Sequence, residues 1–328
     1  MAFASYIREN PFIKAFAKTY TQSMATIFML HRVFPVIYPR LTPNEDLKIS
    51  PDYLIQVIEL LSKRGYTFIS VDELYEALTS SRKYKKLIVF TLDDGYKDNL
   101  THALPVFESF NIPFIVYITN CFPDQTANLW WYTLEEIVQT NTSVHLSNDL
   151  QFACYTPEEK WETFTKIREL ILENKIDCKE LDPFSQFTSI QTLCMNWEEV
   201  QQLSKHPLVT IGAHTLNHPV LKNLSMTEAT YEISASRDAL EGAIHKKIDH
   251  FAYPFGEFQQ AGHREFSLVQ ELGFKTAVTT RSGHIFPQHQ HHLTALPRIY
   301  LYENGLKLDE LMFNNVFWSN KFKQVVTI

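Results

Sequence analysis

Two small groups of side chains in this sequence have the chemistry of a hydrolytic site. Asp93 and Asp94 are adjacent carboxylates that follow an apolar run, and His214 and His218 lie four residues apart much further along the chain. One carboxylate and two imidazoles suit zinc, with one coordination position left for water. The second carboxylate is then available as a base. These residue types therefore indicate a metal-dependent hydrolase.

Both groups need a change of chain direction to bring their side chains together. Neighbouring strand residues point to opposite faces, so Asp93 and Asp94 converge only if the chain turns, which Gly95 permits because glycine tolerates positive φ. The spacing of His214 and His218 puts both rings on one side of a helix or of a tight turn. Each motif alone also fits an ordinary turn or a structural histidine pair, so the hypothesis of a metal site depends on their joint presence.

The composition is that of a soluble globular protein and excludes some classes of function. The 328 residues are 45% hydrophobic and 20% charged, which is enough apolar material for a sizeable core. The net charge of −7 leaves no basic surface for nucleic acid, so we expect no nucleic-acid partner. No apolar stretch reaches the roughly 18 residues that a membrane-spanning helix needs.

Short β-rich runs alternate with amphipathic helical patterns along most of the chain. Such alternation is typical of an α/β fold in which helices cover a parallel sheet. With seven or eight strands the natural closure is a barrel, whose active site lies at the carboxyl ends of its strands. Asp93, Asp94, His214 and residues 254–256 all follow such ends. The strand candidates are residues 26–33, 67–71, 87–92, 113–119, 209–213, 250–253, 276–280 and 298–302.

One region interrupts this alternation. Residues 121–195 contain helical patterns but no convincing strand, so we interpret them as a helical insertion in one domain that spans residues 1–328. Trp130 and Trp131 near its start are expected to pack the insertion onto the barrel, the alternative being contact with substrate. The histidine-rich tract 284–292 is expected to be a solvated loop, although clustered histidines also bind metal ions.

Residues 1–22 are predicted to form an N-terminal helix. Charged residues interrupt its apolar side chains, so it does not have the pattern of a signal peptide, and we expect a cytoplasmic protein. An apolar face in residues 1–20 favours docking onto the domain; the alternative is weak peripheral contact with the inner face of a membrane. The four cysteines include no closely spaced pair and are expected to be reduced thiols.

Three segments resemble the principal motifs of the polysaccharide deacetylases, carbohydrate esterase family 4. They are FTLDDG at residues 90–95, HTLNHP at 214–219 and FAYPFG at 251–256, in that order. The resemblance extends over residues 26–300 apart from most of the insertion. It implies a distorted (β/α) barrel of about seven strands. It also implies hydrolysis of N-acetyl, and in some members O-acetyl, groups on sugars.

The resemblance also implies roles for individual residues. Asp93 matches the catalytic base, and Asp94, His214 and His218 match the metal ligands. The backbone N–H of Phe255 matches the donor to the tetrahedral oxyanion. The implied cofactor is a divalent metal, with Zn²⁺ the first choice and cobalt, nickel or manganese as alternatives.

The chain departs from the family pattern at two positions. Many members carry an arginine two residues before the proline of the third motif, where it holds the base; here that residue is Ala252. Arg298 could supply the missing guanidinium to Asp93 from another strand. Many members also have a late histidine that protonates the leaving amine, and no histidine follows Arg298. His31 at the end of the first strand is the candidate for this acid, and His284 is a weaker one.

The leading hypothesis is a metal-dependent hydrolase that removes N-acetyl groups from a carbohydrate or glycoconjugate precursor. A cytoplasmic location favours a biosynthetic intermediate, so the acetylated sugar could be nucleotide-linked or lipid-linked. Two alternatives stay open, a carbohydrate O-acetyl esterase that uses the same residues and a non-catalytic glycan-binding relative. A third, a scaffold for a membrane-associated complex, depends only on the apolar face of residues 1–20.

Overall fold

The structure is a computed structural model that describes residues 23–36, 42–80, 84–146, 150–184 and 190–303. Strands and helices alternate through these ranges. The strands are β1 (Ala25–Leu30), β2 (Arg32–Val33), β3 (Lys48–Ile49), β4 (Thr67–Phe68), β5 (Leu87–Leu92), β6 (Phe114–Ile118), β7 (Ser143–His145), β8 (Gln151–Ala153), β9 (Val209–Ala213), β10 (His250–Ala252), β11 (Thr276–Ser282) and β12 (Leu296–Tyr300). The α-helices are α1 (Pro51–Lys63), α2 (Val71–Thr79), α3 (Leu104–Ser109), α4 (Trp130–Thr140), α5 (Pro157–Leu172), α6 (Ile190–Leu193), α7 (Trp197–Ser204), α8 (Met226–Ile244) and α9 (His263–Glu271). Short 3-10 helices cover Pro43–Leu47, Cys178–Phe184, Leu221–Asn223 and Pro287–His291, and a π-helical turn covers Asn99–Ala103.

Seven parallel strands of the described chain close into a barrel. Around the ring the order is β1, β5, β6, β9, β10, β11 and β12, and β12 pairs with β1 to complete the circle. β4 lies outside the ring, where it pairs with the start of β5. β9 and β10 are joined at one residue pair and the β11–β12 register shifts, so the barrel is distorted. The predicted (β/α) barrel of about seven strands is confirmed.

The two faces of the strands explain why the barrel forms. Successive residues of a strand point to opposite sides. Phe28 and Phe90 therefore pack against the surrounding helices, whereas Ile27 and Val89 belong to a separate apolar cluster that fills the barrel. All four side chains are buried. Burial of both faces is also the reason why these parallel strands are continuous apolar runs in the sequence.

Three of the helices begin with capping residues that can be read from the sequence. Ser70, Thr156 and Ser225 each form a capping box with the glutamate three residues further on, and these boxes begin α2, α5 and α8. The serine or threonine oxygen accepts a backbone N–H of the first turn, and the glutamate accepts the N–H of the cap residue. The start of each of these helices is therefore fixed by its own sequence.

The insertion between β6 and β9 packs onto the barrel through its own apolar core. It contains α4 and α5, and also the antiparallel pair β7–β8, so the expectation that residues 121–195 hold no strand is wrong. β7 and β8 have three residues each, which is too short for an alternating pattern to stand out. Tyr96 from the barrel and Trp130 from α4 belong to the same buried cluster, which joins the two parts.

The histidine-rich tract differs from its expected state. His284 and His289 are buried, so the interpretation of residues 284–292 as a solvated loop is wrong for these two side chains. The 3-10 helix Pro287–His291 contacts α2, and Nδ1 of His284 lies 2.7 Å from Oγ1 of Thr26 near the beginning of β1. This contact satisfies a buried imidazole nitrogen, which a sequence pattern does not reveal.

The predicted N-terminal helix, residues 1–22, lies outside the described ranges. None of the helices within those ranges combines the length and the apolar character needed to cross a bilayer. No disulfide joins the four cysteines, all of which are described.

Candidate active site

The chain turns sharply after β5, and both Asp93 and Asp94 line the same cleft. Asp94 has φ 74° and Gly95 has φ 96°, so two successive residues adopt the left-handed conformation. Non-glycine residues rarely adopt it, and here the carbonyl oxygen of Asp94 accepts the N–H of Thr119 at 3.2 Å. A Cβ at Gly95 would meet Cδ1 of Ile118 at 2.8 Å, so a larger residue would have to displace that side chain as well as adopt a strained φ.

Asp93 is buried against the guanidinium of Arg298. Nη1 of Arg298 donates to Oδ1 of Asp93 at 2.7 Å, and Nη2 donates to Oδ2 at 2.6 Å. Arg298 also donates to the carbonyl oxygen of Thr279 and to Oγ1 of Thr91, so its position is fixed on three sides. Burial raises the pKa of Asp93, but the charge and the hydrogen bonds of Arg298 outweigh it and hold the pKa below its ordinary value.

Strand periodicity explains why these two residues meet. Val89 and Leu296 belong to the cluster inside the barrel. Because side chains alternate with a period of two, Asp93 comes four residues after Val89 on the inner face, and Arg298 comes two residues after Leu296. β12 and β5 are both neighbours of β1, so the inner faces of all three meet across the barrel mouth.

Asp94, His214 and His218 form a cluster with the geometry of a metal site. Their ligand atoms all lie within 4.8 Å of one another. Nε2 of each imidazole is 3.3 Å from Oδ1 of Asp94. That oxygen is buried and accepts no hydrogen bond from the residues that the structure describes. A divalent cation would supply the missing partner of this oxygen. One carboxylate with two imidazoles is a donor set that such ions prefer, so these three residues suit a bound metal ion.

The backbone fixes the orientation of the first histidine. Nδ1 of His214 lies 2.8 Å from the carbonyl oxygen of Ala252, which can only accept a hydrogen bond. Nδ1 therefore donates to this carbonyl, and Nε2 faces Asp94. At Ala252, where the resemblance led us to look for an arginine, the backbone rather than the side chain contributes to the site.

The second histidine is positioned by a tight turn rather than by a helix. Thr215 and His218 have φ 66° and 56°, and Oγ1 of Thr215 accepts the N–H of His218 at 3.1 Å. Glu232 of α8 accepts the N–H and the Nδ2 of Asn217 at 3.0 and 2.7 Å. These bonds tie the turn to a helix whose start is fixed by its capping box.

The third motif contributes backbone to the same cleft. Phe255 has φ 59° and Gly256 has φ 56°. Gly256 has no room for a side chain, because a Cβ would meet the backbone nitrogen of Thr280 at 2.7 Å. Oγ1 of Thr280 donates to the carbonyl oxygen of Phe255. The N–H of Phe255 donates to no other described residue and is free to donate to a ligand.

These groups surround one cleft with a volume of about 390 Å³, the size of a small-molecule site. His31 lines it, and its ring packs edge-on against Tyr300 with the ring centroids 5.9 Å apart. His284 does not line it and lies near the beginning of β1, at the opposite end of the strand from His31. The geometry therefore removes His284 as a candidate acid and retains His31.

Several residues of the cleft were not expected from the sequence. Tyr96 directly follows the first motif, and its position could have suggested a role. Phe164 and Arg168 come from α5 of the insertion, and no sequence signal tells which face of that helix meets the barrel. Trp130 and Trp131 are largely buried in the core of the insertion, and they also line the cleft. The same two side chains therefore pack the insertion and form part of the cleft wall.

Comparison with known families gives a match over much of the chain. Residues 80–277 match the model of a protein family described as polysaccharide deacetylase. This range contains Asp93, Asp94, both histidines of the cluster and Phe255, and it is more than half of the chain. No curated protein matches the chain.

Solved structures of deacetylases have the same fold. The chain is similar to the Streptococcus pyogenes deacetylase PplD in complex with acetate, with a TM-score of 0.61 and 19% identity over 89% of this chain and 97% of that one. It is similar to IcaB from Ammonifex degensii, with a TM-score of 0.57 and 16% identity over 91% and 97% of the two chains. It is also similar to a de-N-acetylase from Aggregatibacter actinomycetemcomitans, with a TM-score of 0.58 and 15% identity over 89% of this chain and 99% of that one. At these identities the similarity concerns the fold.

Proposed function

This chain belongs to the polysaccharide deacetylase family, and on that premise we propose that it is a metal-dependent hydrolase that removes N-acetyl groups from an amino sugar. The observation that carries the proposal is the pair of adjacent carboxylates. Arg298 holds Asp93 as an anion, while Asp94 lies between the imidazoles of His214 and His218. One carboxylate is thereby available as a base and the other as a ligand.

Asp94, His214 and His218 would hold the cation, and zinc is the ion that this donor set favours. When bound, a divalent ion supplies positive charge that polarises a substrate carbonyl and lowers the pKa of water. The orientation of His214 by the Ala252 carbonyl prepares its Nε2 for this contact.

Asp93 is the group that we assign as general base. Its carboxylate is anionic because Arg298 lowers its pKa, and it lines the cleft beside Asp94. It would accept the proton of the attacking water as that water adds to the acetamide carbonyl. Both of its oxygens accept from Arg298, which fixes the plane of the carboxylate before the substrate arrives.

Two further groups would act on the tetrahedral stage of the reaction. The N–H of Phe255 would donate to the oxyanion, an interaction typically worth about 3–4 kcal/mol of barrier. His31 would protonate the leaving amine, since it lines the cleft at the end of β1. The products are acetate and a free amino sugar.

Measurement of acetate release tests this proposal. Metal-loaded protein should release acetate from N-acetylated sugars, and Asp93→Asn should lower the rate by about 10² to 10⁴-fold while the protein still binds zinc. Asp238→Asn, which removes an exposed carboxylate on α8, is the matched control and should keep full activity. The proposal fails if the metal-loaded protein releases acetate from neither N-acetylated nor O-acetylated sugars.

A carbohydrate O-acetyl esterase is the second candidate, and one feature of His31 favours it. Nδ1 of His31 is buried and has no hydrogen-bond partner among the described residues, so no hydrogen bond from this atom orients the ring. An alcohol leaves without the protonation that an amine requires, so ester hydrolysis would tolerate a poorly positioned acid. Faster acetate release from O-acetylated than from N-acetylated forms of the same sugar would establish this alternative.

A further inference from the structure

The helical insertion forms one wall of the cleft. Phe164 and Arg168 lie one turn apart on α5, on the same face of the helix, and both line the cleft. The guanidinium carbon of Arg168 lies 6.0 Å from the ring centroid of Phe255. The same ring is 4.7 Å from the ring of His218. A single aromatic side chain thus separates the Arg168 guanidinium from the metal-site histidine.

Arg168 brings an unbalanced positive charge to this wall. The side chain is partly buried, and among the described residues its recorded contact is with the ring of Phe255 rather than with a carboxylate. Burial lowers the pKa of its guanidinium, and the charge of the exposed neighbour Glu169 opposes that effect only in part. A buried cation without a counter-ion costs free energy, which an anionic ligand would recover.

The other charges of the cleft do not balance it. Arg298 engages both oxygens of Asp93, and Asp94 lies between the two imidazoles. Glu257 is exposed at the edge of the cleft, and its charge acts on Arg281. Among the described residues that line the cleft, Arg168 is the one arginine or lysine side chain.

We propose that Arg168 binds an anionic substituent of the substrate, so that this enzyme prefers acetylated sugars that carry a phosphate or a carboxylate. The planar guanidinium presents parallel N–H groups that match two oxygens of either anion. The inference rests on the proposed function, because it concerns the substrate of the same cleft. It makes Arg168 a specificity-determining residue and the insertion the element that selects the substrate.

Substrate pairs that differ in one charged group test the inference. N-acetylglucosamine is the neutral probe, N-acetylglucosamine 1-phosphate carries the phosphate, and N-acetylmuramic acid carries the carboxylate. Wild-type protein should prefer at least one charged probe in kcat/KM by about 10 to 100-fold, the range expected for a charge-assisted hydrogen bond. Arg168→Gln should abolish that preference, and Arg168→Lys should retain part of it.

Lys166→Gln is the matched control, because it removes a positive charge from the exposed face of the same helix. It should keep the wild-type preference. The charged probe that is preferred identifies phosphate or carboxylate as the source of the anion. Equal kcat/KM for charged and neutral probes in wild type, or an unchanged preference in Arg168→Gln, overturns the inference while acetate release continues to support the proposed function.

A binding measurement separates the two proposals when no probe is hydrolysed. Calorimetric titration of Asp93→Asn protein with N-acetylglucosamine 1-phosphate and N-acetylmuramic acid should give tighter binding than N-acetylglucosamine. The double variant Asp93→Asn/Arg168→Gln should lose the difference. Charge-dependent binding without acetate release would retain the role of Arg168 and reject the hydrolase, whereas no binding of either charged probe would reject the role of Arg168.

Discussion

The properties of the proposed base depend on one buried arginine. Arg298 is fully buried and reaches Asp93 from the last strand of the barrel with two hydrogen bonds. Without this charge, burial alone would favour the protonated carboxyl. A base that is already ionised at acidic pH can accept a proton over a wide pH range. We therefore expect Arg298 to set the acidic limit of activity.

Replacement of Arg298 tests this dependence. In Arg298→Gln the pKa of Asp93 rises, since the group that lowers it is gone, and the acidic limb of the kcat/KM profile moves to higher pH by about 1–3 units. Arg298→Lys keeps a positive charge and should shift the limb less. The profiles are measured below the melting temperature of each variant, because breaking a buried pair costs about 3–5 kcal/mol.

A second buried arginine provides the control for this shift. Arg281 donates to the carbonyl oxygen of Ala261 and does not contact Asp93. Arg281→Gln therefore removes a buried guanidinium without changing the base, and its acidic limb should coincide with that of the wild type. If the limb of Arg298→Gln also coincides with the wild type, Asp93 is not the group that limits activity at low pH.

His31 is expected to distinguish between two leaving groups. In His31→Asn, hydrolysis of N-acetyl substrates should fall by about 10² to 10⁴-fold, because the amine must be protonated as it leaves. Hydrolysis of O-acetyl substrates should fall much less. The measurement is the ratio of the two kcat/KM values on matched sugars. An equal decrease for both would indicate that His31 supports binding or folding instead of donating a proton.

At the scale of elements, the sequence predicted those strands and site residues that depend on local patterns. All eight candidate strands are present, seven in the ring and β4 beside it. The strands β3, β7 and β8 were missed, since strands of two or three residues leave no periodic signal, whereas the residues of β2 lie within the candidate strand 26–33. Asp94 and the histidines could be expected from motifs, whereas Arg168 could not, because its position depends on how a whole insertion docks.

Close packing between two barrel strands makes one glycine essential. Gly212 of β9 is paired with Tyr117 of β6, and a Cβ at this position would meet Cε1 of Tyr117 at 2.6 Å and the carbonyl oxygen of His250 at 3.0 Å. Tyr117 is fully buried, so its ring could make room only by displacing other buried groups. Gly212→Ala should therefore lower the free energy of unfolding by about 1–3 kcal/mol.

Gly242 provides the matched substitution. It lies in α8, and a Cβ there would meet no atom within 4 Å. Gly242→Ala should raise the free energy of unfolding by about 0.5–1 kcal/mol, because alanine loses less entropy in a helix. Urea titration gives the free energy of unfolding of both variants. Similar effects of the two substitutions would contradict the close packing that we describe around Gly212.

The whole molecule should become less stable as the pH falls below neutral. Burial lowers the pKa of His284 and of His289 from 6.5 to about 4. Between these values the unfolded chain binds protons that the folded chain does not, so the free energy of unfolding decreases as pH falls through this window. The loss approaches about 3 kcal/mol for each histidine. The lowered pKa of Asp93 acts in the same direction, but only below its ordinary range near 4.

Urea unfolding at pH 7.0, 5.5 and 4.5 measures this loss. His284→Gln removes one of the two imidazoles whose pKa is lowered to about 4, so its free energy of unfolding should depend less steeply on pH than that of the wild type. His291→Gln, in the exposed part of the same tract, should keep the wild-type dependence. If the free energy of unfolding of His284→Gln depends on pH as steeply as that of the wild type, groups other than His284 cause the acid sensitivity.

Closure of the ring by β12 gives this protein an order of assembly. A chain emerging from the ribosome contains both aspartates and both histidines of the site well before Arg298 is synthesised. β12 lies between β11 and β1 and carries the guanidinium that contacts Asp93. If Asp93 is the base, we therefore expect fragments that end before Leu296 to release no acetate from acetylated sugars.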